Sequence, residues 1–111
     1  MHFWQVARLT DAAHVREHQP IDFYAEKLRV TAAQLGRICR KELGHSPLSL
    51  VNDQLIREAQ RDLVYSGSSI KQIAHALGFE DAACFSRYFR KQTGVTPKEF
   101  QSAAHRDLSI N

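Results

Sequence analysis

Apolar residues recur along this chain at intervals of three and four, the period of an α-helix with one buried face, and no stretch alternates as a strand would. Leu35, Ile38, Cys39 and Leu43 form one such stripe, and Ala82, Phe85, Tyr88 and Phe89 form a second. A third runs through Leu48, Val51, Leu55, Ala59 and Leu63, and Phe3, Val6, Ala7 and Ala13 mark a leading helix over 3–18, closed by Pro20. The pattern predicts an all-α chain.

Helix punctuation agrees with the stripes. Asp22 is placed to cap a helix reaching Leu28 and Arg29. Thr31 with Gln34, and Ser69 with Gln72, have the spacing of a capping box, and Asp81 is placed to cap the helix after it. Gly78 has the position of a residue just past a helix end. Gly44 and Gly94 stop helices, while Ser46-Pro47 and Thr96-Pro97 start the next with an N-cap and an N1 proline. A long helix over 47–66 follows the first of these, with Gly67 beyond it. After Ala104 a polar, frayed tail is expected over 105–111.

The chain is an imperfect duplication. Residues 35–47 and 85–97, at an offset of 50, share Arg, Arg, Lys, Gly and Pro and exchange like for like at Leu/Phe, Ile/Tyr and Ser/Thr. Upstream, Tyr24, Ala25 and Leu28 answer Ile73, Ala74 and Leu77 at an offset of 49, so the second copy has one extra residue in its turn. Two copies are too few for a solenoid and read as a pair of helix-turn-helix units. The expected organisation of 1–104 is a first unit over 3–47, a connecting helix over 47–66 and a second unit over 68–104.

Charge sharpens this picture. The 111 residues have 15 Lys and Arg against 12 Asp and Glu, a formal +3. Six of those cations fall in two matching groups, Arg37, Arg40, Lys41 and Arg87, Arg90, Lys91, so the rest of the chain is acidic, with nine cations against twelve anions. Spacing of i, i+3, i+4 puts each group on one side of its helix, opposite the apolar stripe. Ala33, Gly36, Arg37 and Arg40 share the first such face, with Gln34 and Lys41 at its edge. Ala83, Ser86, Arg87 and Arg90 share the second, with Cys84 and Lys91 at its edge. A 20-residue connecting helix spans about 30 Å, close to the roughly 34 Å separating successive major grooves on one side of B-DNA.

The stretch 78–100, GFEDAACFSRYFRKQTGVTPKEF, resembles the C-terminal signature of the AraC/XylS family of bacterial transcription regulators. The resemblance covers about 3–103. It implies seven helices, two helix-turn-helix motifs of homeodomain-like form, and a connecting helix. As function it implies sequence-specific binding of double-stranded DNA and transcription regulation, most often activation through RNA polymerase. It implies base contacts at Ala33, Gly36 and Arg37 and at Ala83, Ser86 and Arg87. A sensing and dimerising domain usually precedes such a reader, and the bacterial cytoplasm is its compartment.

In physical terms, the guanidinium forks of Arg37 and Arg87 match guanine O6 and N7. Thr31, Gln34, Arg40, Lys41, Arg90 and Lys91 are the expected phosphate contacts, joined by helix N-termini near Thr31, Ser46, Asp81 and Thr96. Ala33, Gly36 and Ala83 have no side-chain hydrogen-bonding groups. The competing reading is a helical protein-interaction module whose basic faces meet an acidic protein.

Other classes find little support. The short apolar runs give no membrane-spanning helix or leader, and no membrane partner is expected. Two cysteines without a CxxC suit a reducing compartment. The six histidines are scattered, with His14 and His18 the one i, i+4 pair and no third ligand beside them. No nucleophile–base set, metal site or phosphate loop appears, so neither an enzyme nor a cofactor is expected. Cys39 faces inward, whereas Cys84 sits near a helix N-terminus, where a thiolate is favoured. Trp4, Tyr24, Tyr65 and Phe100 fit packing positions rather than a base-stacking platform.

Overall fold

The computed structural model describes residues 15–18 and 20–110. Among them it has six helices and no strand: α1 Ile21–Lys27, α2 Ala32–Leu43, α3 Pro47–Tyr65, α4 Ile70–Ala76, α5 Ala82–Thr93 and α6 Pro97–Ile110. The leading helix expected over 3–18 lies outside the described residues except at its end, as do Trp4 and His14. The chain divides into two compact units, Met1–Leu55 and Ile56–Asn111, and α3 belongs in part to each.

The duplication is visible in the backbone hydrogen bonds. Leu28, Arg29 and Val30 donate to the carbonyls of Tyr24, Glu26 and Ala25, as Leu77, Gly78 and Phe79 do to those of Ile73, His75 and Ala74. Each set is a Schellman ending, in which the residue after the cap takes a left-handed backbone. Gly78 does so at φ 88°, as its position predicts, but the first unit places Arg29 there at φ 58°. Beyond the extra turn residue the correspondence moves to an offset of 50. Gly44 and Gly94 donate to Arg40 and Arg90, and Leu50 and Phe100 donate to Ser46 and Thr96.

Both predicted capping boxes form. Thr31 Oγ1 accepts from the Gln34 amide at 3.1 Å while Gln34 Oε1 accepts from the Thr31 amide at 2.8 Å, and Ser69 and Gln72 repeat this at 3.1 and 2.9 Å. Asp22 does not cap α1. Pro20, fixed at φ −68°, opens that helix a residue or two earlier without a side-chain cap, and Asp22 falls in the first turn beside the positive helix end.

Within the first unit Tyr24, Ala25, Leu35, Cys39, Val51 and Leu55 are buried, and within the second Ala59, Leu63, Ile73, Ala74, Leu77, Phe85 and Phe89. A run of aromatic rings extends through the second unit around Phe85 and Phe89. Phe79 lies tilted against Phe85 and Tyr88, while Phe85 meets Phe89 and Phe89 meets Phe100 edge to face, with centroids 5.3–5.8 Å apart. Val30, Leu35, Ile38, Cys39 and Leu50 hold the matching positions of the first unit.

Three expectations change. Leu48 is 58% exposed and Tyr65 74% exposed, because each lies in a terminal turn of α3, beyond the stretch that packs. The tail expected to fray from 105 onward is helical as far as α6 reaches, to Ile110, and 111 lies outside the described residues. No Gly or Pro interrupts 98–110, and α6 is tied down where Gln101 Nε2 donates to the Leu63 carbonyl at 2.9 Å. His105 Nε2 lies 3.3 Å from the Val64 carbonyl, so both residues meet backbone oxygens that the end of α3 leaves without helical donors.

Candidate nucleic-acid interface

Each expected recognition helix is locked at both ends by its own sequence. α2 runs from the Thr31–Gln34 box to Gly44 at φ 74°, and α5 from Asp81 to Gly94 at φ 87°. Inward, α2 buries Leu35 and Cys39 and α5 buries Phe85 and Phe89. These anchors set the rotation of each helix, and the predicted cationic faces emerge opposite them. Arg37, Arg40, Lys41, Arg87, Arg90 and Lys91 are all exposed. No salt bridge among the described residues engages any of the six. Arg40, Lys41, Arg90 and Lys91 lie in the last turns of their helices, where a cation also suits the negative end of the dipole.

The remaining predicted residues divide by accessibility. Ala33 and Ala83 are exposed and Ser86 is half-buried. Gly36 is buried, covered by its own helix neighbour. An ideal Cβ there would lie 3.2 Å from Arg40 Nη1, so the Arg40 side chain folds back over the glycine. In α5 the side chain that leans back is Arg87, whose Nη2 donates to Cys84 Sγ at 3.4 Å.

Helix N-termini offer fewer amides than the sequence suggests. Thr31 and Gln34 satisfy each other, Ser49 donates to Ser46 Oγ at 3.2 Å, and Glu99 donates to Thr96 Oγ1 at 3.1 Å. Cys84 likewise donates its amide to Asp81 Oδ1 at 2.7 Å. That bond, with the one from the Cys84 thiol, holds the Asp81 carboxyl below its ordinary value. The same carboxylate pushes the Cys84 thiol up, so the thiolate expected from its place near a helix start is disfavoured. Burial, partly offset by Arg40, pushes the Cys39 thiol up as well, which suits a core residue.

Sequence reasoning missed Glu58. Its side chain is 4% exposed on α3, and Oε2 lies 2.6 Å from Arg61 Nη2. The signal was its place between Leu55 and Ala59, both on the buried stripe. Among the described residues no cluster of three His, Cys, Asp or Glu is arranged to hold a metal. Nor is any helix there long and apolar enough to cross a membrane.

Comparison with known proteins bears on this arrangement. The model of the family described as "Helix-turn-helix domain" matches residues 24–103. The HTH-type transcriptional regulator YobQ of Bacillus subtilis is 28% identical over 95 residues, covering 86% of this chain and 39% of that protein. The arabinose operon regulatory protein of Salmonella typhimurium is 34% identical over 85 residues, covering 77% of this chain and 30% of that protein. The chain thus spans between 30% and 39% of the length of these relatives. Among solved structures, the AdpA DNA-binding domain in complex with a target DNA superposes with a TM-score of 0.79 at 24% identity, covering 93% of this chain and 95% of that one. A regulator with an AraC-type DNA-binding domain from Chromobacterium violaceum gives a TM-score of 0.68 at 26% identity, covering 93% and 96%.

Proposed function

Since this chain belongs to the AraC family of helix-turn-helix domains, we propose that it binds double-stranded DNA by sequence and regulates transcription, as an activator. In this reading α2 and α5 are recognition helices that enter successive major grooves. α3, which has residues in both units, is 19 residues or about 28 Å of helix long. The observation that carries the reading is the repetition. At an offset of 50, two helices with matched ends each expose an Arg, Arg, Lys set with no carboxylate bound to it among the described residues.

The proposed roles follow from position. Arg37 and Arg87 lie in the first half of each helix and read guanine edges, with Ala33, Gly36, Ala83 and Ser86 closing against the same groove. Lys41, Arg90 and Lys91, a turn further on, hold phosphates, as do the side chains of Thr31 and Gln34 outside their capping bonds. Arg40, folded over Gly36, is a separate case. The same reading includes a contact with RNA polymerase, an effector-binding and dimerising domain elsewhere in the protein, and a cytoplasmic setting.

The test is a mobility shift of the chain against a duplex of about 30 base pairs, long enough for two adjacent major grooves. Affinity is expected to fall steeply with salt, as counterions released from phosphates require. A preferred sequence should emerge on selection from a random pool. Absence of a duplex complex at low salt, or binding to polyglutamate as strong as to the duplex, would instead support an acidic protein partner.

A further inference from the structure

Glycine is the poorest helix former after proline, yet Gly36 sits in the middle of α2. Among the described residues no other part of the fold packs closely against it. Apart from the backbone of α2 itself, what lies within 4 Å of an ideal Cβ at Gly36 among the described residues is two atoms of the Arg40 guanidinium, Nη1 at 3.2 Å and Cζ at 3.9 Å. The glycine therefore makes a seat for the side chain four residues on. Helical side chains lean toward the N-terminus, and four residues amount to about 6 Å of rise. Arg40 thus brings its charge from the last turn of α2 back to the level of Gly36 and Arg37, on the outward face. No carboxylate among the described residues holds it there.

The second helix lacks this seat. Ser86 stands at the matching position, so a side chain begins there where Gly36 has none. The cation that leans back in α5 is Arg87, toward Cys84.

We infer that Gly36 makes Arg40 a base-reading, specificity-determining residue, so that α2 reads its half-site with two guanidinium forks where α5 uses one. Each fork suits the O6 and N7 pair of a guanine, and the half-site under α2 is one with two G·C pairs read by arginine. The inference rests on α2 being a DNA recognition helix.

The experiment starts from duplexes selected by the unaltered chain from a random pool. Binding is then measured to the selected duplex, to its single-pair variants and to a random duplex, for Arg40→Ala, Arg40→Lys and Gly36→Ser. Arg40→Ala is expected to lose about tenfold or more on the selected duplex, much less on the random one, and to abolish discrimination at one G·C pair. Arg40→Lys keeps the charge but not the fork, so it should retain random binding and lose the same discrimination. Gly36→Ser removes no cation, yet it should flatten that same pair, with helix content by circular dichroism unchanged. Equal losses on selected and random duplexes for Arg40→Ala, or full discrimination in Gly36→Ser, would overturn the inference while leaving DNA binding intact. Failure of the unaltered chain to select any duplex would instead remove the recognition-helix reading beneath it.

Discussion

Replacing Gly36 by alanine should make the protein more stable. Alanine is favoured over glycine in a helix interior by about 0.8–1 kcal/mol, and Gly36 has ordinary helical geometry within α2. Among the described residues outside the backbone of α2, the new methyl group meets the far end of Arg40, 3.2 Å away at the nearest. Turning a solvent-facing side chain into another staggered well costs less than the propensity gained. A net gain of about 0.5–1 kcal/mol remains. For a urea m-value of about 1–2 kcal/mol per molar, the unfolding midpoint should rise by roughly 0.3–1 M. Equilibrium unfolding followed by circular dichroism measures it. In an Arg40→Ala background, where nothing has to move, the gain should approach the full propensity difference. A midpoint that falls in both backgrounds would refute the reasoning, because Gly36 would then be serving the packing of the core and not the placement of Arg40.

Other outcomes follow from the same geometry. Arg87→Ala should cost about 1–3 kcal/mol on the preferred duplex and relax one base pair, whereas Lys91→Ala should weaken all sequences alike and lower the salt slope by about one. Competition titrations against random DNA separate the two. Gly78→Ala should destabilise by about 1 kcal/mol, since φ 88° penalises a Cβ more than the stiffer unfolded chain returns. Gly78→Asn should cost less, a comparison that thermal melts resolve. The Asp81 carboxyl is held low, so its capping contribution is complete above the ordinary value of 3.8 and is lost as pH falls through the lower folded value. Exchange of the Cys84 amide should therefore speed up in strong acid relative to that of Gln72, whose cap does not titrate. Arg61→Ala strips a partner from the buried Glu58 carboxylate and should cost about 1–2 kcal/mol, discounted because Arg61 is 63% exposed. Glu58→Gln in the same background should recover part of that loss.

Much of the architecture could be read from residue order because the helix ends are written in local chemistry. Thr31 with Gln34, Ser69 with Gln72, Asp81, Gly44 and Gly94 each act within four residues, so tertiary context had little room to override them. Asp22 misled because Pro20 competes for the same helix start and fixes its backbone without needing a side chain. The tail after Ala104 misled because polarity says nothing of the backbone oxygens of Leu63 and Val64, which Gln101 and His105 reach across about forty residues of sequence. For the candidate interface, helical rotation placed the six cations on outward faces correctly. It could not foresee that Arg40 lies over Gly36, since a side chain's course depends on what is absent from the surface beneath it. The raised Cys84 thiol was hidden for a similar reason: the helix start argued for a thiolate, but the capping carboxylate sits closer.

The unequal cores limit how this domain can be re-engineered. Where the second unit has Phe85, Phe89 and Phe100, the first has Leu35, Cys39 and Leu50, beneath helix ends built to one plan. Grafting α5 whole into the place of α2 would force a phenyl ring into space shaped for a thiol, and overpacking of that kind costs about 1–3 kcal/mol or more. Chimeras that exchange only the outward residues leave both interiors as they were. New binding preferences are therefore to be built by resurfacing each arm in place, not by trading the two as cassettes.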